Sequence, residues 1–316
     1  MNNFLKKIII FLVLFIFLLS VIFIINNDGY MINIKDLNKN KIAKKLEFFE
    51  EFTNHKNNIN IVLGSSLARD SIIPDSLGED WFSFTNGAQS IQNSYDFLNF
   101  YKNLIKFKKV IIVLNPFDFV NPSEMDKNYK LPIQNSDFYI FTKSKKLFQT
   151  IKNNNFPNLK FITKLFSKEK NMKKIGINWT KQGYTGNLKK GSDIGFYYKN
   201  KKEKDKNVHR YFRNMTNDPY MKSFDLFNDL SDFLEIDVTY LITPKSEHYL
   251  SSLSEHKYDN NWKNILDSLK KRKVEIWDFE TMKTDTFKFH WYVDETHSSH
   301  DGAKAFTKII RKRLKD

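Results

Sequence analysis

The chain reads as an α/β protein, a three-layer α/β/α sandwich around a parallel sheet of about five strands, preceded by one transmembrane helix. Two observations predict the sandwich. Short apolar runs alternate with stretches of helical periodicity, the order that a parallel sheet with right-handed crossovers requires. Most of those runs then break into a polar or glycine turn, which is where open α/β sheets place their ligands. A third observation, an uncharged run near the N-terminus, predicts the membrane helix.

That run comes first in the chain. Lys6-Lys7 precede Ile8 to Ile25, which contains only Ile, Phe, Leu, Val and one Ser. At about 1.5 Å per residue the run covers roughly 27 Å, close to the hydrocarbon thickness and longer than the core of a signal peptide. Asn26-Asn27-Asp28-Gly29 offers no small-x-small cleavage site. The run is therefore expected to be a retained signal anchor, embedded in lipid through residues 8–25, with Lys6-Lys7 cytoplasmic and the rest extracytoplasmic. Lys35, Lys39 and Lys41 follow within about twenty residues of its far end and weaken the charge asymmetry, so the inverted orientation stays open. Residues 1–30 are assigned to the cytoplasmic tip and anchor, and 31–316 to one extracytoplasmic domain.

Within that domain, strands are expected at Ile59 to Leu63, Trp81 to Thr85, Val110 to Leu114, Val238 to Thr243 and Val274 to Phe279. Helices are expected from Gln92, Ser223, Asn260 and His300. Tyr95, Leu98, Tyr101, Leu104 and Ile105 fall near helical spacing, and Trp262, Ile265, Leu266 and Leu269 share one face of a later helix; both stripes read as core. Residues 120–222 break the alternation with Lys, Asn, Gly and Tyr, including the run Lys199 to Lys206. They read as an insertion over the active face. Tyr184, Tyr197, Tyr198 and Tyr211 within it have two readings, sugar stacking or core packing.

Composition narrows the function classes. The formal charge of +15, from 51 Lys plus Arg against 36 Asp plus Glu, suits an anionic neighbour, although lysines spread among many Asn, Ile and Phe also arise from compositional bias alone. No nucleic-acid motif is found, and no nucleic-acid partner is expected. The absence of cysteine excludes disulfides, thiolate zinc sites and a lipid-modified N-terminal cysteine.

Two segments carry the chemistry. Gly64-Ser65-Ser66 ends the first strand, and Asp294-Glu295-Thr296-His297 precedes the last helix. A serine hydroxyl is a poor nucleophile at neutral pH until a base takes its proton, and the base needs an acceptor to hold its tautomer. Ser66, His297 and Asp294 supply those three parts. Acyl transfer also passes through an oxyanion that needs fixed donors, and the Ser66 amide, the Gly87 amide and the Asn115 side chain lie at three strand ends. Glycine suits position 87 because it tolerates unusual dihedrals and lets a substrate approach the backbone.

Each of these residues also has a plainer reading. Ser66 has that of a helix N-cap, Gly87 and Asn115-Pro116 those of turn residues, and Asp118 that of a cap. Arg69 is a substrate-binding candidate for an anionic group, or else it pairs with Asp70 or Asp75. His290 and His300 are rival bases, but neither has an aspartate three residues earlier. His290, Asp294, His297, His300 and Asp301 crowd together without a His-Glu-x-x-His or comparable pattern, so no metal is expected, and the chemistry calls for no cofactor.

In order along the chain, four blocks resemble the SGNH or GDSL hydrolase family. Gly64-Ser65-Ser66 is similar to the first block, with Ser65 in place of the family's aspartate. Phe84-Thr85-Asn86-Gly87 is similar to the second, Val113-Leu114-Asn115-Pro116 to the third, and Asp294-x-x-His297 followed by Gly302 to the last. The resemblance implies an SGNH/flavodoxin-like fold with Ser66 as nucleophile, His297 as base and Asp294 as its partner. It implies Ser66, Gly87 and Asn115 as the oxyanion hole. With the anchor, it implies a serine O-acyltransferase or O-acyl esterase acting on a cell-surface glycan or other envelope polymer, similar to proteins of teichoic acid D-alanylation and exopolysaccharide O-acetylation. Such relatives often work beside a membrane-embedded acyltransferase. The alternative is a noncatalytic, membrane-tethered polysaccharide-binding or assembly protein on the same fold.

Overall fold

The computed structural model describes residues 58–120 without 88, 180–186, 218–280 without 273, and 291–316, together with 45–54 without 47, and 11, 12, 14, 15, 56 and 212. The chain divides into two compact units, one of 1–43 with 136–172 and one of 44–135 with 173–316. In the first, the described residues are Phe11, Leu12, Leu14 and Phe15, all helical. The rest of the anchor expected at 8–25 lies outside the described residues, as does most of the insertion, including Tyr197, Tyr198 and Tyr211. Among the described residues no helix is long and apolar enough to cross a membrane.

The second unit is built on five parallel strands. They are β1 (Asn58–Gly64), β2 (Trp81–Thr85), β3 (Lys106–Val113), β4 (Asp237–Ile242) and β5 (Ile276–Asp278), in the spatial order β2-β1-β3-β4-β5. The connections from β1 and β3 leave in opposite directions, so a crevice opens between their carboxyl ends. Strands covered on both faces carry continuous apolar runs, which is why Ile61-Val62-Leu63 and Val110 to Val113 are buried without alternation. β3 starts at Lys106, earlier than the run from Val110 suggests, because only Phe107 of its first four residues is buried.

Helices cover both faces. On one, Val62, Ile111, Val113, Leu241 and Trp277 pack against α1 (Ser66–Ser71), α2 (Pro74–Leu77) and, through Phe306 and Ile310, a C-terminal helix at His300–Arg313. On the other, Phe82 and Phe84 meet Phe49 and α3 (Ile91–Tyr101), with Phe84 and Phe97 stacked at 4.2 Å between ring centroids. α4 (Lys222–Phe233) lies beside α3 and presents Phe224 to Tyr240 of β4 at 4.9 Å. α5 (Glu247–Glu255) and α6 (Asp259–Lys271) link β4 to β5, and the C-terminal helix is α7. The free edge of β2 is met by 180–186, where Ser83 N donates to Gln182 O at 2.9 Å.

Two glycines decide how closely these layers approach the strand ends. Gly64 has φ +134, and a Cβ there would lie 3.0 Å from Val113 O and 3.2 Å from Ala68 Cβ, so the turn from β1 into α1 requires glycine. A Cβ on Gly302 would fall 2.1 Å from Trp291 O, so only glycine lets the first turn of α7 rest on the backbone leading to Asp294. Gly302→Ala is expected to cost at least about 2 kcal/mol and to lower the melting temperature by about 4 °C or more. Thermal denaturation beside Gly87→Ala, where a Cβ meets nothing among the described residues closer than 3.8 Å, checks this.

Candidate active site

The site begins at the end of β1. Ser65 is the N-cap of α1, its Oγ accepting from Leu67 N at 3.3 Å, and it also accepts from Asn115 Nδ2 at 3.1 Å. The capping role considered for Ser66 is thus filled by its neighbour. Ser66 becomes the first helical residue, its hydroxyl is left for another partner, and its N–H has no acceptor within the helix.

That partner comes from the segment before α7. Val293 N donates to His297 O at 2.9 Å and Tyr292 bridges Ser298, so 292–298 folds into a tight turn. Asp294 closes it: its Oδ1 accepts from Thr296 N and His297 N, both at 2.8 Å, as aspartate commonly does in such turns. The same carboxylate receives His297 Nδ1–H, with Oδ2 at 2.8 Å, which leaves Nε2 as an acceptor. Ser66 Oγ lies 2.8 Å from Nε2. The turn is tied down on three sides. Ser71 Oγ meets Ser298 Oγ at 3.0 Å, Ser246 Oγ donates to Glu295 O at 2.8 Å, and Ser299 N donates to Trp291 O at 2.7 Å.

The electrostatics follow from these contacts. Burial would push the Asp294 carboxyl up, but the hydrogen bond and charge of His297 and two backbone N–H donors overrule it and bring it down to about 2. Burial favours a neutral His297, yet the hydrogen bond and charge of Asp294, helped by Asp70 and opposed by Arg69, raise it above the ordinary histidine value.

Gly87 and Asn115 follow β2 and β3, the two neighbours of β1, so the three expected oxyanion donors sit at adjacent strand ends with Ser66 in the middle. Asn86 N donates to Gly64 O at 3.3 Å, joining the first two exits. The expectation that Gly87 exploits unusual dihedrals is corrected: its φ is not in the left-handed region, and among the described residues beyond its chain neighbours the space a side chain would take is bordered only by Arg69 Nη1. The Asn115 side chain is oriented by Phe117 N, which donates to its Oδ1 at 3.1 Å, and one of its own N–H groups goes to Ser65 rather than to open space.

Asp118 is a brace. It accepts from Asn115 N at 2.8 Å and from Ile91 N at 3.0 Å, joining the exit of β3 to the start of α3, while burial pushes its carboxyl up to about 7 against those two donors. Arg69 pairs with Asp70, Nε to Oδ1 at 3.0 Å and Nη2 to Oδ2 at 2.8 Å. His300 sits at the start of α7 with its ring 6.4 Å from that of Tyr184, and Tyr184 is core beside Ile73 and Ala303. His290 lies outside the described residues, and among those no group of three or more His, Asp or Glu is arranged to hold a metal.

Several supporting residues carry no sequence signature. Lys45 is wholly buried and donates to Thr85 O at the end of β2; burial, and then the charge of Arg69, lower its pKa well below the ordinary lysine value against the pull of Asp70. Lys245, at the exit of β4, is lowered to about 8 by burial, opposed by Glu280 and Asp294. Ser246 could have been suspected as a cap, since a serine followed by Glu247 starts many helices.

Compared with known proteins, the sequence matches no family model and no curated protein. The arrangement therefore has to be read from its own chemistry: a hydroxyl, an imidazole and a carboxylate joined in one line at the mouth of the β1/β3 crevice, able to remove a proton from Ser66 and hold it on a stabilised imidazolium.

Because His297 accepts that proton only when neutral, kcat/KM for an ester should rise with pH through an apparent pKa above the ordinary histidine value of 6.5. Asp294→Asn removes the interaction that raises it. The rising limb should move to lower pH and the plateau should drop by about 10³-fold or more, as read from a pH–rate profile.

Proposed function

We propose that this protein is a serine O-acyltransferase or O-acyl esterase of cell-surface polysaccharide, working through an acyl-enzyme on Ser66. The observation that carries the reading is the continuous line Ser66–His297–Asp294, with both contacts of the histidine at 2.8 Å. The β2-β1-β3-β4-β5 order and the helices on both faces support an SGNH-like three-layer sandwich. The apolar run at 8–25 supports a membrane-anchored domain facing the envelope.

In this mechanism Ser66 Oγ attacks the acyl carbonyl as its proton passes to His297 Nε2, and Asp294 stabilises the imidazolium. The oxyanion is held by the Ser66 and Gly87 amides and by the Asn115 side chain, and losing one such donor typically costs about 2.7–4 kcal/mol of barrier. Collapse breaks the ester bond, the leaving alcohol takes the proton from His297, and the acyl group stays on Ser66. A sugar hydroxyl or water then attacks the acyl-enzyme, giving its proton to His297, and Ser66 is regenerated. One machinery serves transfer and hydrolysis. A membrane-embedded acyltransferase is the proposed source of acyl groups when transfer is the physiological direction.

Hydrolysis of 4-nitrophenyl acetate and of an acetylated glycan by the wild type, Ser66→Ala and His297→Ala tests this. Activity should fall by about 10³-fold or more in both variants. Equal, background-level rates in all three proteins would replace the catalytic reading with that of a noncatalytic polysaccharide-binding protein.

A further inference from the structure

Arg69 has an unspent half. Asp70, only 2% exposed, takes Nε and Nη2 of the guanidinium in a bidentate pair, while 32% of the Arg69 side chain remains exposed. The third nitrogen, Nη1, has no partner among the described residues. It lies 3.8 Å from where a Cβ on Gly87 would stand, and apart from the residues adjacent to Gly87 in the chain no other described residue comes within 4 Å of that point. A guanidinium clamped along one edge presents its remaining N–H groups in a fixed plane, so a ligand need not bear the cost of ordering the side chain.

The charged surroundings agree. The charges of Asp70 and Arg69 both act on His297, Asp70 raising its pKa and Arg69 lowering it, so the pair lies within electrostatic reach of the imidazole. Lys45 lies close enough for its charge to interact with both members of the pair, and it donates to the carbonyl of Thr85, two residues before Gly87. Asp70 cancels much of the Arg69 charge at a distance. It does not occupy the N–H groups of Nη1, and at contact range those donors favour an anion over a neutral acceptor.

We infer that Arg69 Nη1 forms an anion subsite beside Gly87, and that the ester handled by this site carries a carboxylate, phosphate or sulfate within a few bonds of its acyl group. The inference rests on the serine acyl-transfer reading, since it is the role of the Gly87 amide that places the reacting carbonyl there. It narrows the substrate class from envelope polysaccharides in general to acidic ones or to anionic acyl groups. Gly87 gains a second reason to lack a side chain, because a methyl group there would stand between the substrate and Nη1.

The test uses the full chain in detergent and two matched ester pairs. Mono-4-nitrophenyl glutarate against 4-nitrophenyl pentanoate places a carboxylate on the acyl side; 4-acetoxybenzoate against 4-acetoxybenzamide places it on the alcohol side. The wild type should favour the anionic member of at least one pair by about 10- to 100-fold in kcat/KM, the range expected for a hydrogen bond to a charged group. Arg69→Met should bring that ratio to about one, and Arg69→Lys should keep part of it. Because Arg69→Met strands a buried carboxylate, the double variant Arg69→Met/Asp70→Asn is measured too and should match it. A wild-type ratio at or below one in both pairs, or equal losses on both members in the variants, overturns the subsite while Ser66 is still labelled by a neutral alkyl phosphonate. Failure of that phosphonate to label Ser66 overturns the subsite and the acyl-transfer reading together.

Discussion

A single carboxylate, that of Asp294, closes a turn and orients an imidazole at once. Its Oδ1 collects Thr296 N and His297 N, which fixes the backbone, and both its oxygens face His297 Nδ1. Since the turn places the ring that the carboxylate then holds, the geometry of His297 follows from a span of four residues. This is also why the carboxyl stays ionised despite burial: the hydrogen bond and charge of His297 together with two backbone N–H donors outweigh desolvation. The serine has no comparable local constraint. It depends on the scaffold to arrive within 2.8 Å of Nε2 from 231 residues away.

The scaffold achieves this by close approach at two glycines. At Gly64 the backbone turns from β1 into α1 against Val113, which puts Ser65 in the cap and Ser66 on the first helical turn. At Gly302 the last helix settles onto Trp291, which sets the height of the turn that follows. Ser71 and Ser298 then join the two ends of the constellation directly. The strand order brings the exits of β2, β1 and β3 side by side, and Asp118 with Lys45 holds the outer two. Buried polar groups of this kind are tolerable because each has a hydrogen-bond partner: Lys45 the carbonyl of Thr85, Asp118 the N–H groups of Asn115 and Ile91, and Ser71 the hydroxyl of Ser298.

The same features explain what was legible in the sequence. The strands were readable because both faces of the sheet are covered, so Ile61 to Leu63 and Val110 to Val113 stand out as unbroken apolar runs. The Asp294–His297 pair was readable because its contact is local. The short α1 has a weak sequence signature, since Arg69 and Asp70 interrupt its apolar residues, and the N-cap reading the sequence offers falls on Ser66 whereas Ser65 caps the helix. α5 has no clear sequence signature because Glu247, Ser251, Ser252, Ser254 and Glu255 dilute its stripe to Tyr249 and Leu253. Lys45 was invisible, because its partner Thr85 is 40 residues away and nothing in a lone lysine announces burial. The pairing of Arg69 with Asp70 is one of two readings the sequence offers; in the structure it leaves Nη1 without a partner among the described residues rather than excluding the other reading.

A covalent intermediate is what separates a working triad from a well-packed serine, histidine and aspartate. The most direct measurement is therefore acid-quenched peptide mass mapping of the protein during turnover of an activated acetyl ester. The account predicts the mass of one acetyl group on the peptide containing Ser66, present in the wild type and absent in Ser66→Ala. Turnover with Ser66 unmodified at every quench time, or with the acetyl group on another residue, would contradict it.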